Sequence, residues 1–152
     1  MVTLKFRAMK NILVGIDFNE QTEELISKSI IFAKQLKAKL WLLHVASPDP
    51  DFVGYEAGPQ FIRDNRADIL WNEHKIISNY TKGIKENGVD AEGLLIQGAT
   101  IETILQESIK LDIDLIIAGF HEHNFFYNAF FGNTSIHIIK KSKIPVMVLP
   151  LY

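Results

Sequence analysis

The feature that most constrains this chain is a series of short, nearly unbroken apolar runs, each separated from the next by a helix-length segment. The first is Asn11-Ile12-Leu13-Val14-Gly15-Ile16, which stops at Asp17. A strand with one wet face alternates apolar and polar residues, whereas a continuous run needs cover on both faces, which flanking helices supply in a parallel sheet. Similar runs recur at Lys39 to Val45, at Asp114 to Ala118 and at Ile144 to Leu149, with a weaker one holding Ala91, Leu94, Leu95 and Ile96. Single helical segments between them imply right-handed crossovers. The expected architecture is therefore one α/β domain, doubly wound on a five-stranded parallel sheet.

Helical spacing then selects the inward faces. Leu25, Ile26, Ser29, Phe32, Ala33 and Leu36 line the first helix, with Asn19 or Thr22 as its cap and Glu23 and Glu24 near its positive end. From Gln60 to Glu86 a long second helix carries Ile62, Ile69, Leu70, Ile76, Ile77, Tyr80 and Ile84, and Asn87-Gly88 ends it in the left-handed region. Thr100 caps a third helix with Ile101, Ile104, Leu105 and Ile109 inward. Gly132-Asn133-Thr134-Ser135 opens the fourth. Ser47 to Pro59 holds three prolines and two glycines and reads as a loop.

Composition bounds the function. The 152 residues are 47% apolar and 22% charged, enough for one domain with a real core. A net charge of −2 gives no basic footprint for nucleic acid and no polybasic membrane patch. Without cysteine there is no disulfide, thiolate metal site or cysteine nucleophile. Neither a membrane-length apolar run nor a secretory leader is present, so the expected compartment is the cytoplasm. Met9 stands directly before the first strand and is a second candidate start, which makes residues 1–8 an N-terminal arm and 9–152 the domain.

In an open doubly wound sheet, ligands sit at the carboxyl ends of the strands where the winding reverses. Asp17 and Gly119 end the first and fourth strands. Asp17 has two readings, a cap for the next helix or an acceptor for a ligand hydroxyl, as acidic residues are for ribose. Gly132-Asn133-Thr134-Ser135 also has two. Asn133 or Thr134 caps the helix, or the glycine lets backbone N–H groups and the hydroxyls of Thr134 and Ser135 approach a phosphate. His121, Glu122 and His123 lack the third ligand a zinc site needs, with His44 and His137 as unsupported candidates, so no metal site is assigned. His44 reads as a hydrogen-bonded, partly buried side chain and His74 as solvent-facing. No nucleophile elbow, Walker loop or paired acid–base carboxylates occur, so the chain is not expected to be an enzyme.

These residues together resemble the universal stress protein family from Met9 onward. The resemblance rests on Ile12 to Asp17, His44-Val45, Gly98, Gly119-Phe120-His121, Gly132 after a loop of matching length, and Pro145-Val146. It implies an adenine nucleotide alpha hydrolase-like fold with strand order 3-2-1-4-5. It also implies cofactor contacts at Asp17, Val45, Gly119, Glu122, Gly132, Asn133 and Thr134, and a homodimer formed through Val146, Met147 and Val148 of the last strand. In ATP-binding members the loop reads glycine, two residues, glycine, nine residues, glycine, then serine or threonine. Here Gly119 and Gly132 remain, while Glu122 and Asn133 replace the second glycine and the hydroxyl residue, and His123 stands where arginine is usual. The expected function is a non-enzymatic stress-response module, a dimer acting through a protein partner, whose degraded loop binds ATP and Mg²⁺ weakly or no longer. Two other readings stay open: an ATP-dependent switch or slow ATPase with Glu122 on magnesium, and a small-molecule binder using the loop aromatics Phe120, Phe125, Phe126, Tyr127, Phe130 and Phe131.

Overall fold

The computed structural model describes residues 7–46, 60–121 and 131–152. Nine elements alternate along it: β1 (Asn11–Gly15), α1 (Thr22–Leu36), β2 (Lys39–Ala46), α2 (Gln60–Glu86), β3 (Ala91–Gln97), α3 (Thr100–Lys110), β4 (Leu115–His121), α4 (Phe131–Lys141) and β5 (Val146–Leu151). The five strands pair in parallel in the order β3-β2-β1-β4-β5. This is the doubly wound sheet expected from the apolar runs. Winding runs outward from β1 to β2 and β3, and from β4 to β5 on the other side, so its direction reverses between β1 and β4.

Strand alternation divides the core into two layers. Ile12, Val14, Leu40, Leu42, Leu115 and Ile117 face one side, where they pack with Leu25, Ile26 and Ala33 of α1 and Ile77 and Ile84 of α2. Leu13, Leu43 and Ile116 face the other and meet Ile104 of α3 and Ile138 of α4. Each of these strand residues is buried, which explains why the sequence needed unbroken apolar runs. Gly93 adds a close approach: a Cβ there would lie 2.8 Å from Thr81 Oγ1 and 3.0 Å from Ile77 Cγ1, so α2 rests on β3 only because that position is bare.

Near the amino end, Arg7 pairs with Asp112 and, at 2.9 Å, with Asp114, whose carboxylate also accepts from the backbone N–H groups of Lys10 and Asn11. Salt-bridging to these carboxylates raises the Arg7 pKa, the hydrogen bond that Arg7 donates to Asp112 contributing most. The last part of the expected N-terminal arm is thus tied to the β4 entrance, and Met9 packs on the core.

Helix boundaries and faces differ from expectation in detail. Neither Asn19 nor Thr22 caps α1; Gln21 holds that position without a side-chain bond. Asn19 Oδ1 instead accepts from the Gln21 N–H, and Thr22 Oγ1 donates to the Asp17 carbonyl, so both serve the preceding turn. Thr100 is the first residue of α3, and Ala99 is its N-cap. Leu36 and Ile109, expected inward, are exposed, as are Ile69 and Ile76 on α2. On α3 the inward place goes to Ser108, whose hydroxyl bonds back to the Ile104 carbonyl and is satisfied without water. Gly88 ends α2 with φ +82°, as Asn87-Gly88 suggested. Among the described residues no helix is long and apolar enough to cross a membrane.

Candidate functional site

The reversal of winding opens a crevice of about 460 Å³ at the carboxyl ends of β2, β1 and β4. Its floor is apolar, from Leu43, Ile116, Ile117 and Ile138, and its rim is polar, from Asp17, Asn19, His44, Arg66, Glu73, Thr100 and Ser135. An apolar cavity with a few converging polar groups is the usual form of a small-molecule site.

Each wall follows from local chain geometry. Asp17 leaves β1 five residues before α1 begins, so it is not the helix cap; its side chain stays 43% exposed at the rim, with Oδ1 4.0 Å from His44 Nδ1. Val45 and Ala46 line the opening at the end of β2. Gly119 lies on β4, where a Cβ would stand 2.6 Å from Leu151 Cδ1, so any larger residue displaces the β5 end of the wall. Ser135 Oγ donates to the Gly119 carbonyl at 3.3 Å and fastens the start of α4 to the end of β4. The amino ends of α3 and α4 therefore both reach the crevice, bringing unpaired N–H groups and positive dipole ends that favour an anion.

Of the residues singled out from sequence, the structure gathers Asp17, Val45 and Gly119 on one crevice. Gly132, Asn133 and Thr134 fall in the first turn of α4, which begins at Phe131, so neither Asn133 nor Thr134 precedes the helix as a cap. The side chains of 131–134 and the whole of Glu122 and His123 lie outside the described residues, as do Phe125, Phe126, Tyr127 and Phe130. Phe120 is on β4 and 41% exposed. His137 is on the exposed face of α4. Among the described residues there is no group of three or more His, Asp or Glu able to hold a metal ion. The edge residues Val146, Met147 and Val148 are partly covered, and among the described residues β5 pairs only with β4.

Two crevice-lining residues that the sequence did not suggest lie on α2. Arg66 and Glu73 reach the crevice from one face of that helix, and their seven-residue spacing, two turns apart, was the available signal. Glu73 Oε1 lies 3.8 Å from His44 Nε2, and the buried Glu73 Oε2 has no hydrogen-bond partner among the described residues. His44 is buried, its ring packs 4.1 Å from that of Phe18, and its Nδ1 meets the Ile16 carbonyl at 2.9 Å.

Known proteins with this architecture form a coherent set. The chain matches the model of the universal stress protein family over residues 9–150. It is 30% identical over 142 residues to universal stress protein C of Escherichia coli K12, which covers 93% of this chain and 95% of the relative. A solved universal stress protein in complex with cAMP superposes with a TM-score of 0.69 at 17% identity, covering 95% of this chain and 98% of that one. Another, from Archaeoglobus fulgidus in complex with dAMP, gives 0.63 at 15%, covering 96% and 100%. The fold, the crevice at its winding reversal and the match along nearly the whole chain place this protein in the universal stress protein family.

Proposed function

We propose that this protein is a non-enzymatic stress-response module whose crevice binds a mononucleotide and whose loop discriminates against a triphosphate. The observation that carries this reading is the convergence of Asp17, Val45 and Gly119 with the amino end of α4 on one crevice. Neighbouring strands are about 4.8 Å apart, so β2 to β4 spans roughly 10 Å, the scale of a mononucleotide. A phosphate lies at the β4 side against the start of α4, a ribose hydroxyl donates to Asp17 at β1, and the base lies at β2. The complexes of related proteins with cAMP and dAMP support a nucleotide of this size. Among the described residues that line the crevice, none forms a nucleophile with an adjacent oriented base, so binding without turnover is the economical reading.

Asp17→Ala tests it. Losing a charged acceptor for a ribose hydroxyl should weaken nucleoside monophosphate binding about tenfold or more, at about 1.5–3 kcal/mol for a hydrogen bond to a charged group. Titration calorimetry reads this directly. Unchanged affinity in a folded variant removes Asp17 from the site.

The same reading includes a homodimer through β5. An edge strand with apolar Val146, Met147 and Val148 and only Pro145 and Pro150 to blunt it invites pairing. Sedimentation equilibrium should give twice the 17.3 kDa chain mass, and Val148→Lys should return the monomer. A monomer in the wild type at high micromolar concentration contradicts the dimer.

A further inference from the structure

The strands are joined least where the winding reverses. β2 pairs with β3 from Leu40 to Ala46, and β4 with β5 from Ile116 to His121. β1 pairs with β4 over just Ile12, Leu13 and Val14, the shortest pairing among the described residues. Beyond Val14 the crevice opens, lined by Gly15, Ile16, Ala118 and Gly119. The halves β3-β2-β1 and β4-β5 thus meet along a short seam.

At its amino end the seam is closed by side chains. Asp114, the residue before β4, turns one carboxylate oxygen to the backbone N–H groups of Lys10 and Asn11, which donate at 2.8 and 3.0 Å. The Asp114 N–H donates in return to the Asn11 carbonyl at 2.9 Å. The other carboxylate oxygen accepts from Arg7 Nε at 2.9 Å, while Arg7 Nη2 donates to Asp112 in the turn before β4. Asn11 brings in β2 as well, because its Oδ1 accepts from Trp41 Nε1 at 3.1 Å.

An ordinary surface ion pair contributes little. Here the Asp114 side chain is only 7% exposed, so each donor it loses leaves a buried charge less well satisfied. The guanidinium also engages two carboxylates through different nitrogens, a fork that a lysine ammonium does not reproduce. Arg7 lies outside the stretch matched by the family model, which begins at residue 9.

We propose that Arg7 is a strap that holds the β1–β4 seam shut from its amino end, so that the folding unit starts before Met9. Releasing the strap loosens this seam selectively and leaves the β2–β3 half of the sheet in place. A chain begun at Met9 would lack it.

Amide hydrogen exchange followed by NMR on the full chain tests this, with the wild type compared to Arg7→Ala and Arg7→Lys. Arg7 is exposed, so both variants should fold, and the urea midpoint records any change in global stability. In Arg7→Ala the amides of Lys10, Asn11 and Asp114 should exchange about tenfold faster. The Leu40 amide, which donates to the Asp90 carbonyl beside β3, should change by less than about twofold. Arg7→Lys should resemble Arg7→Ala, since one ammonium cannot span both carboxylates. Equal acceleration at Leu40 and Asn11 would mean general destabilisation and overturn the strap. Unchanged exchange at Lys10, Asn11 and Asp114 would reduce Arg7 to a solvated surface pair and overturn it too, as would full protection in Arg7→Lys.

Discussion

Ile117→Ala is expected to lower the free energy of unfolding by about 3–4 kcal/mol, the largest stability loss predicted for this chain. Ile117 is fully buried on β4, which is flanked by β1 and β5, and its register partners are Val14 and Met147. It belongs to the layer that joins both neighbouring strands to α1 and α2. Removing three carbons there loses their transfer free energy and leaves a cavity that strands hydrogen-bonded on both sides cannot close. Ile→Ala at such sites costs about 2–5 kcal/mol. Against a usual total of about 5–15 kcal/mol, the variant keeps only part of its stability. Urea denaturation should show the midpoint fall with the slope unchanged. Ile109→Ala is the control, since Ile109 is 78% exposed and its removal should change stability by about 0.5 kcal/mol at most. Equal losses at the two sites would contradict the assignment of the core.

Glu122→Gly is expected to strengthen ATP binding at least tenfold. In the loop pattern of ATP-binding family members this position is a glycine, and on the proposed reading the glutamate adds a negative charge beside the phosphates. Two unit charges ~4 Å apart repel by about 1 kcal/mol in bulk water and about 4 kcal/mol at the effective dielectric of a protein surface. A triphosphate multiplies the effect, while a monophosphate seated at the start of α4 feels less of it. AMP affinity should therefore change much less than ATP affinity, and the ratio between the two is the informative quantity. Titrations with chelator and with Mg²⁺ separate the opposite reading. A glutamate that holds magnesium would make Glu122→Gly weaken Mg-ATP binding, and that result would end the account of a loop that excludes triphosphates.

The strands were legible because a strand covered on both faces has to be apolar throughout, as Ile12 to Val14 and Leu115 to Ile117 are. Their order was not written in composition or periodicity; it followed from the family resemblance, and the pairing of β1 with β2 and β4 bears it out. Helix faces were legible to within one position. Ser108 displaced Ile109 from the interior of α3 because a hydroxyl bonded to the carbonyl four residues back can be buried cheaply, which a hydrophobic pattern does not register. Thr22 misled as a cap because its hydroxyl serves a turn of the same composition. Asp17 and Gly119 were readable at the site because they fall near the carboxyl ends of their strands, although β4 runs past Gly119 to His121. Glu73 was not, because its meaning depends on His44, 29 residues earlier, and no local motif links the two.

The central claim is that the carboxyl ends of β2, β1 and β4 form one nucleotide site, and amide NMR during titration with AMP tests it most directly. Chemical shifts should move together at Ile16 and Asp17, at Val45 and Ala46, and at Gly119 and Ser135, saturating with a single dissociation constant. Shifts confined to the β3 edge or to the exposed face of α2, with Asp17 and Gly119 unmoved at saturation, would contradict it.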